Sequence, residues 1–84
     1  MYKIVISKKA EKQIKLISKL HLQQALNEIF LEIKEDPLVG KLLGEELTNR
    51  YSYRVGVYRI LYLINFKDKK VIILSAKHRS VVYK

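Results

Sequence analysis

Hydrophobic and polar positions divide the chain into segments of different period. Residues 2–6, YKIVI, are a short β-branched run that predicts a strand. Ser7 stands where a helix N-cap is expected, and Ala10, Ile14 and Ile17 recur at helical spacing with Leu16 and Leu20 beside them. A break is expected near His21. Beyond it Leu22, Ala25, Leu26, Ile29, Phe30 and Ile33 follow the i, i+3, i+4, i+7 pattern of a second amphipathic helix. That helix stops at Asp36, because the residue before Pro37 is pushed out of the helical region. Residues 37–50 carry Gly40 and Gly44 without a sustained period and read as a connection with one helical turn. Three strands are expected over residues 51–57, 58–66 and 70–76, with KDKK (67–70) as the polar turn between the last two. The expected order is β-α-α-β-β-β. It describes an α+β fold with two N-terminal helices on one face of a small, mainly antiparallel sheet.

The stretch YSYRVGVYR, residues 51–59, specifies its own pairing. Gly56-Val57 suits a two-residue type II′ hairpin turn, with glycine at the first central position. Val55 then faces Tyr58, Arg54 faces Arg59, Tyr53 faces Ile60 and Ser52 faces Leu61. Directly opposed side chains share a face at about 5 Å between Cβ atoms, so two arginines are expected side by side. Like charges so placed are destabilising, and carboxylates to relieve them are scarce. The second half of the chain offers Glu45, Glu46 and Asp68. Planar guanidinium forks suit an anion with several oxygens, phosphate above all.

Charge changes the picture most. The 84 residues include 17 Lys and Arg against 8 Asp and Glu, a formal net of +9. A small domain with that excess attracts polyanions, nucleic acid first. Residues 1–84 are expected to form a single domain, with 49% hydrophobic residues supplying one modest core. Cysteine is absent, which excludes disulfides, thiolate nucleophiles and cysteine-based zinc sites. The opening MYKIVISKKAEK has no apolar stretch of signal-peptide or membrane-spanning length. A soluble protein of the cytoplasm is expected, with no membrane partner.

The C-terminal AKHRSVVYK, residues 76–84, brings a second set of chemical groups toward the hairpin. If Lys67 faces Lys70, His78 arrives opposite Arg59; a turn of odd length instead places Arg79 there. His78 titrates near neutrality in its unperturbed form, and Tyr83 offers a ring for stacking and a hydroxyl for proton exchange. Other chemistries fail on inventory. There is no Gly-rich phosphate loop and no GxSxG, and His21 and His78 lack the company of a metal site, so no metal or other cofactor is expected. Glu28, Glu32, Glu35 and Asp36 fit a solvated helix face. Lys8, Lys9, Lys12, Lys15 and Lys19 read as the polar face of the first helix, able to meet backbone phosphates non-specifically.

Two motifs carry a family resemblance. Y51-S-Y-R-V-G-V-Y-R59 is similar to the Tyr-Arg-Val-Arg-Val-Gly-x-Tyr-Arg hairpin of the RelE/ParE toxin superfamily, and H78-R-S-V-V-Y83 is similar to its C-terminal His-Arg-x-x-x-Tyr. The resemblance spans nearly the whole chain and is greatest to the RelE-like mRNA endonucleases of type II toxin-antitoxin pairs. It implies attack of an mRNA ribose 2′-hydroxyl on the adjacent phosphate, in the ribosomal A site. Arg54 falls where members carry a basic residue near that phosphate, and Arg59 and Arg79 at arginines that bind it as charge builds. Tyr83 falls at the terminal tyrosine, and His78 at a second acid/base position. Lys41, Arg50, Tyr53, Lys77 and Lys84 are the candidates for holding the RNA strand. The implied partners are the ribosome with its mRNA and a cognate antitoxin whose acidic, partly disordered segment wraps the basic toxin. Two positions depart from the pattern. Ser52 stands where some active members have lysine, and Val57 replaces a frequent aspartate. A ParE-like gyrase inhibitor and a non-catalytic RNA-binding relative are the alternatives on the same fold.

Overall fold

The computed structural model describes residues 1–44 and 49–83. Strand β1 (Lys3–Ile6) leads into helix α1 (Lys8–Lys19), helix α2 (Leu26–Glu35) and a 3-10 turn (Pro37–Val39). Strands β2 (Lys41–Leu42), β3 (Arg50–Val55), β4 (Tyr58–Asn65) and β5 (Lys70–His78) complete a five-stranded sheet in the order β1-β5-β4-β3-β2. β1 runs parallel to β5, and the other pairs are antiparallel. The α+β architecture is as expected, with one addition. The connection over residues 37–50 contains the anticipated helical turn and also the short edge strand β2; residues 45–48 lie outside the described residues.

Local chemistry explains the helix ends. Ser7 caps α1 by accepting the Ala10 N–H at 3.2 Å. α1 closes at His21, in the left-handed region at φ +59°, with the Leu22 N–H donated back to the Ile17 carbonyl. The second helix therefore starts at Leu26, later than its apolar spacing suggests. Leu22 and Ala25 still pack against the core from the preceding turn. At the other end Asp36 leaves the helical region (φ −140°, ψ 87°), as its place before Pro37 favours, and its carboxylate accepts the Leu38 N–H at 3.2 Å.

Both helices cover one face of the sheet. Ile17, Ile29 and Ile33 meet Ile60, Tyr62, Ile64, Val71 and Ile73, all fully buried. The polar Gln13 shares the buried side of α1 with Ala10 and Ile17. Its amide oxygen accepts the Ser75 hydroxyl at 3.1 Å and the Ala76 N–H at 2.8 Å, tying α1 to β5. A buried amide so satisfied contributes to stability and fixes the strand's position.

The β3–β4 pairing follows the expected register throughout, with Arg54 opposite Arg59 and Val55 opposite Tyr58. Gly56 has φ +57° while Val57 stays at negative φ, as a type II′ turn requires. The β4–β5 register matches neither expected alternative. Asn65, not Lys67, faces Lys70, because the Asn65 side chain closes the turn through the Asp68 N–H at 3.0 Å and Lys69 takes φ +51°. A bulge between Leu61 and Tyr62 then moves the register by one, leaving Leu74 without a facing residue. The result places Lys77 opposite Arg59 and His78 opposite Tyr58.

The edge strand β2 depends on one close approach. Tyr62, stacked on Tyr51 at 5.7 Å, donates its hydroxyl to the Pro37 carbonyl at 2.7 Å and accepts the Gly40 N–H at 3.0 Å. A Cβ at Gly40 would lie 2.5 Å from that hydroxyl and 3.1 Å from the Ser52 carbonyl. Gly40→Ala and Tyr62→Phe are each expected to cost about 1–3 kcal/mol, the first by overpacking and the second by stranding buried polar groups. Because they share one contact, the double variant should fall short of their sum by at least about 0.5 kcal/mol in urea unfolding; strict additivity would contradict the contact. Burial also pushes the Tyr62 hydroxyl up to about 12. Its contribution is complete below the unfolded tyrosine value of about 10 and is lost as pH rises through about 12. Tyr62→Phe should remove that part of the alkaline loss of stability.

Candidate phosphate-binding site

Strand alternation sorts the hairpin residues by face. Tyr51, Tyr53, Val55, Tyr58 and Ile60 turn toward the helices, while Arg50, Ser52, Arg54, Arg59 and Leu61 turn to the open face. The β4–β5 register adds Lys77 to the second set. Arg54, Arg59 and Lys77 thus form a row of three cations across three adjacent strands. The Arg79 N–H donates to the Val57 carbonyl at 2.8 Å, which extends the ladder past the end of β5 and ties Arg79 to the hairpin turn.

These residues enclose a cleft of about 370 Å³ together with His78, Val81 and Tyr83. Among the described residues no carboxylate lines it, and none of its cations forms an ion pair. A groove of about 440 Å³ on the open face shares Arg54, Arg59 and Lys77 with it and adds Ser52, Leu43 and Leu61. The site is a concentration of fixed positive charge, which is what an oxyanion requires.

The C-terminal arm is folded back by its own polar groups. The backbone N–H of His78 donates to the Tyr83 hydroxyl at 2.8 Å, and the Ser80 N–H donates to His78 Nδ1 at 3.0 Å. The hydrogen of the neutral imidazole then sits on Nε2. The buried ring of His78 meets Tyr58 edge-on at 5.0 Å. Tyr58 itself donates its hydroxyl to the Leu22 carbonyl. Burial raises the Tyr83 pKa above the ordinary tyrosine value, the His78 N–H opposes that rise, and Tyr58 adds to it. Its oxygen already accepts the His78 N–H, so its own hydrogen is available to donate. Lys77 Nζ stands 5.9 Å from the centre of the Tyr83 ring.

Arg54, Arg59, His78, Arg79, Tyr83 and Lys77 therefore converge on one cleft. Lys41 and Arg50 share the open face but not the cleft. Lys41 lies opposite Ser52 on β2, and Arg50 lies four residues from Arg54, roughly 13 Å along the strand. Tyr53 is on the helix side, donating its hydroxyl to Glu32 at 2.6 Å, and that bond raises its pKa. Strict alternation from Arg54 carries the same signal. Lys84 lies outside the described residues. Sequence reasoning passed over Gln13, whose place between Ala10 and Ile17 on the buried face of α1 is the available sign of a structural role.

With this geometry, residues 4–83 match the family described as the ParE toxin of type II toxin-antitoxin systems, parDE. The chain belongs to that family. It falls within the RelE/ParE toxin superfamily, as the relatives also indicate. It is 41% identical over 56 residues to Toxin RelG of Mycobacterium tuberculosis, a match covering 66% of this chain and 64% of that protein's length. The toxin-antitoxin complex RelBE2 from the same organism superposes with a TM-score of 0.79 at 32% identity, covering 93% of this chain and 98% of that one. The isolated RelE toxin of E. coli shares the fold, with a TM-score of 0.76 at 20% identity over 98% of this chain and 88% of that one. No helix among the described residues is long and apolar enough to cross a membrane.

Proposed function

We propose that this chain is a ribosome-dependent mRNA endonuclease, the toxin of a type II toxin-antitoxin pair acting in the cytoplasm. The observation that carries the reading is the cleft itself: Arg54, Arg59, Lys77 and Arg79 converge with Tyr83, and no carboxylate among the described residues lines the space. A phosphodiester fits such a cleft. The 2′-oxygen of the preceding ribose attacks phosphorus, and the bond to the 5′-oxygen breaks. The products are a 2′,3′-cyclic phosphate and a 5′-hydroxyl. Arg54, Arg59 and Arg79 stabilise the charge that builds on the non-bridging oxygens, and each such fixed group is worth about 2.7–4 kcal/mol of barrier by comparison with one oxyanion donor.

Proton movement follows from the hydrogen bonds. Tyr83 is protonated at neutral pH and has a free hydrogen, so it donates to the departing 5′-oxygen. His78 Nδ1 is committed to Ser80, and its ring is packed on Tyr58, which makes it the brace of the arm. The 2′-hydroxyl proton passes to water as the oxygen attacks. Ser52 leaves one cation fewer on β3, and Lys41 faces it from β2.

A cognate antitoxin is the second partner. The similar RelBE2 structure is a toxin-antitoxin complex. The net charge of +9 favours an acidic segment, ordering as it binds over the cleft.

The chemistry is tested with an mRNA carrying one 2′-O-methyl nucleotide immediately 5′ of the cut on programmed ribosomes. Cleavage should vanish at that position alone, and unmodified RNA should yield cyclic-phosphate ends. Cutting that survives the methyl group would exclude 2′-hydroxyl attack.

A further inference from the structure

Tyr83 and Lys77 are shared by two spaces. Besides the cationic cleft, they line a second groove of about 530 Å³ against α1, completed by Lys9, Lys12, Gln13 and Leu16. Residues 9, 12, 13 and 16 lie on one side of a helix. Gln13 is held at the base of the groove by Ser75 and Ala76, so the wall it belongs to is fixed to β5. The one acid on α1, Glu11, pairs with Lys15 at 3.4 Å, and no carboxylate among the described residues lines the groove. Lys9 and Lys12 thus repeat, on the helix side of Tyr83, the unopposed positive charge found on its sheet side. The open-face groove, the central cleft and the α1 groove all include Lys77. The central cleft thus borders each groove through shared lining residues.

We propose that the α1 groove is a subsite for the single-stranded RNA that leaves the cleft, with Lys9 and Lys12 holding a backbone phosphate beyond the scissile one and Tyr83 dividing the two positions. The proposal rests on the nuclease reading. Single-strand binding combines a cationic path with aromatic surfaces, and Lys9, Lys12, Lys77 and Tyr83 supply both. The ligand is polynucleotide backbone of any sequence, because a lysine contact to phosphate carries no base readout.

The test is fluorescence anisotropy of an uncleavable 2′-O-methyl hexaribonucleotide across a salt series. Three forms of the antitoxin-free protein are compared: wild type, Lys9→Ala/Lys12→Ala, and Lys8→Ala/Lys19→Ala. The last removes the same charge from the same helix outside the groove. One single-strand phosphate contact contributes about 0.7 to the slope of log K against log salt. The groove pair should lower the slope by about that amount and weaken binding in moderate salt, while the control pair leaves the slope near wild type. A dinucleotide, too short to leave the cleft, should not distinguish the two pairs. Equal losses from both pairs, no loss from either, or no hexamer binding by wild type would each overturn the subsite. Unchanged hexamer binding with loss of antitoxin binding in the groove pair would also overturn it, in favour of a protein ligand. Binding of an uncleavable RNA is read without turnover, so failure here is distinct from an absence of A-site cuts.

Discussion

Arg59→Gln should lose roughly 10²–10³-fold in cleavage rate and at the same time become more stable. The two signs come from one geometric fact. Arg59 lies between Arg54 and Lys77 on neighbouring strands, so two like charges face it across the ladder. Glutamine keeps the stem that covers the sheet and removes the charge. Relief of directly opposed cations is worth a few tenths to about 1 kcal/mol, or roughly 2–4 °C in melting temperature per 0.5 kcal/mol for a domain of this size. The gain should shrink at high salt, where the repulsion is already screened. Single-turnover cleavage and thermal unfolding of the same preparation check both halves. A variant that loses activity and stability together would mean that Arg59 supports the sheet and that the row was not assembled for a ligand.

Tyr83→Phe should cost roughly 10²–10⁴-fold in the chemical step, the usual worth of a positioned proton donor. Phenylalanine keeps the ring beneath Lys77 and removes only the hydroxyl that accepts the His78 N–H. The effect should therefore fall on kcat, with KM little changed. A substrate whose departing 5′-oxygen is replaced by sulfur separates donation from positioning, because a thiolate leaves without a proton. On that substrate the variant should approach the wild-type rate. An undiminished defect would assign the hydroxyl to bracing the arm through His78.

The parts of this architecture that were legible in the sequence are those decided by local chemistry. Gly56 specifies the turn, and the turn specifies Arg54 opposite Arg59. Ser7 and Asp36 mark helix ends for reasons contained within three residues. The remainder depends on contacts distant in sequence. The β4–β5 register follows from a side-chain-closed turn and from the bulge at Leu74, and apolar residues on both sides of each strand leave no alternation to reveal it. β2 exists because Tyr62 reaches Pro37 and Gly40 across the fold, which no property of Lys41 and Leu42 announces. The same limit applied to the site. Arg54, Arg59, His78, Arg79 and Tyr83 were nameable from motif and turn, whereas Lys77 opposite Arg59 required the bulge, and the groove lysines of α1 required the packing of Gln13 on β5.

The central claim is that the cationic cleft receives an mRNA phosphate. Its most direct test is primer extension on an mRNA held in ribosomes with an empty A site, comparing wild type with Arg79→Ala. Arg79 is anchored to the hairpin turn through its backbone, so truncating its side chain leaves the ladder intact. Position-specific A-site cuts by the wild type that disappear in the variant are the expected result. No cuts from the folded wild type, together with inhibition of gyrase supercoiling, would contradict the claim.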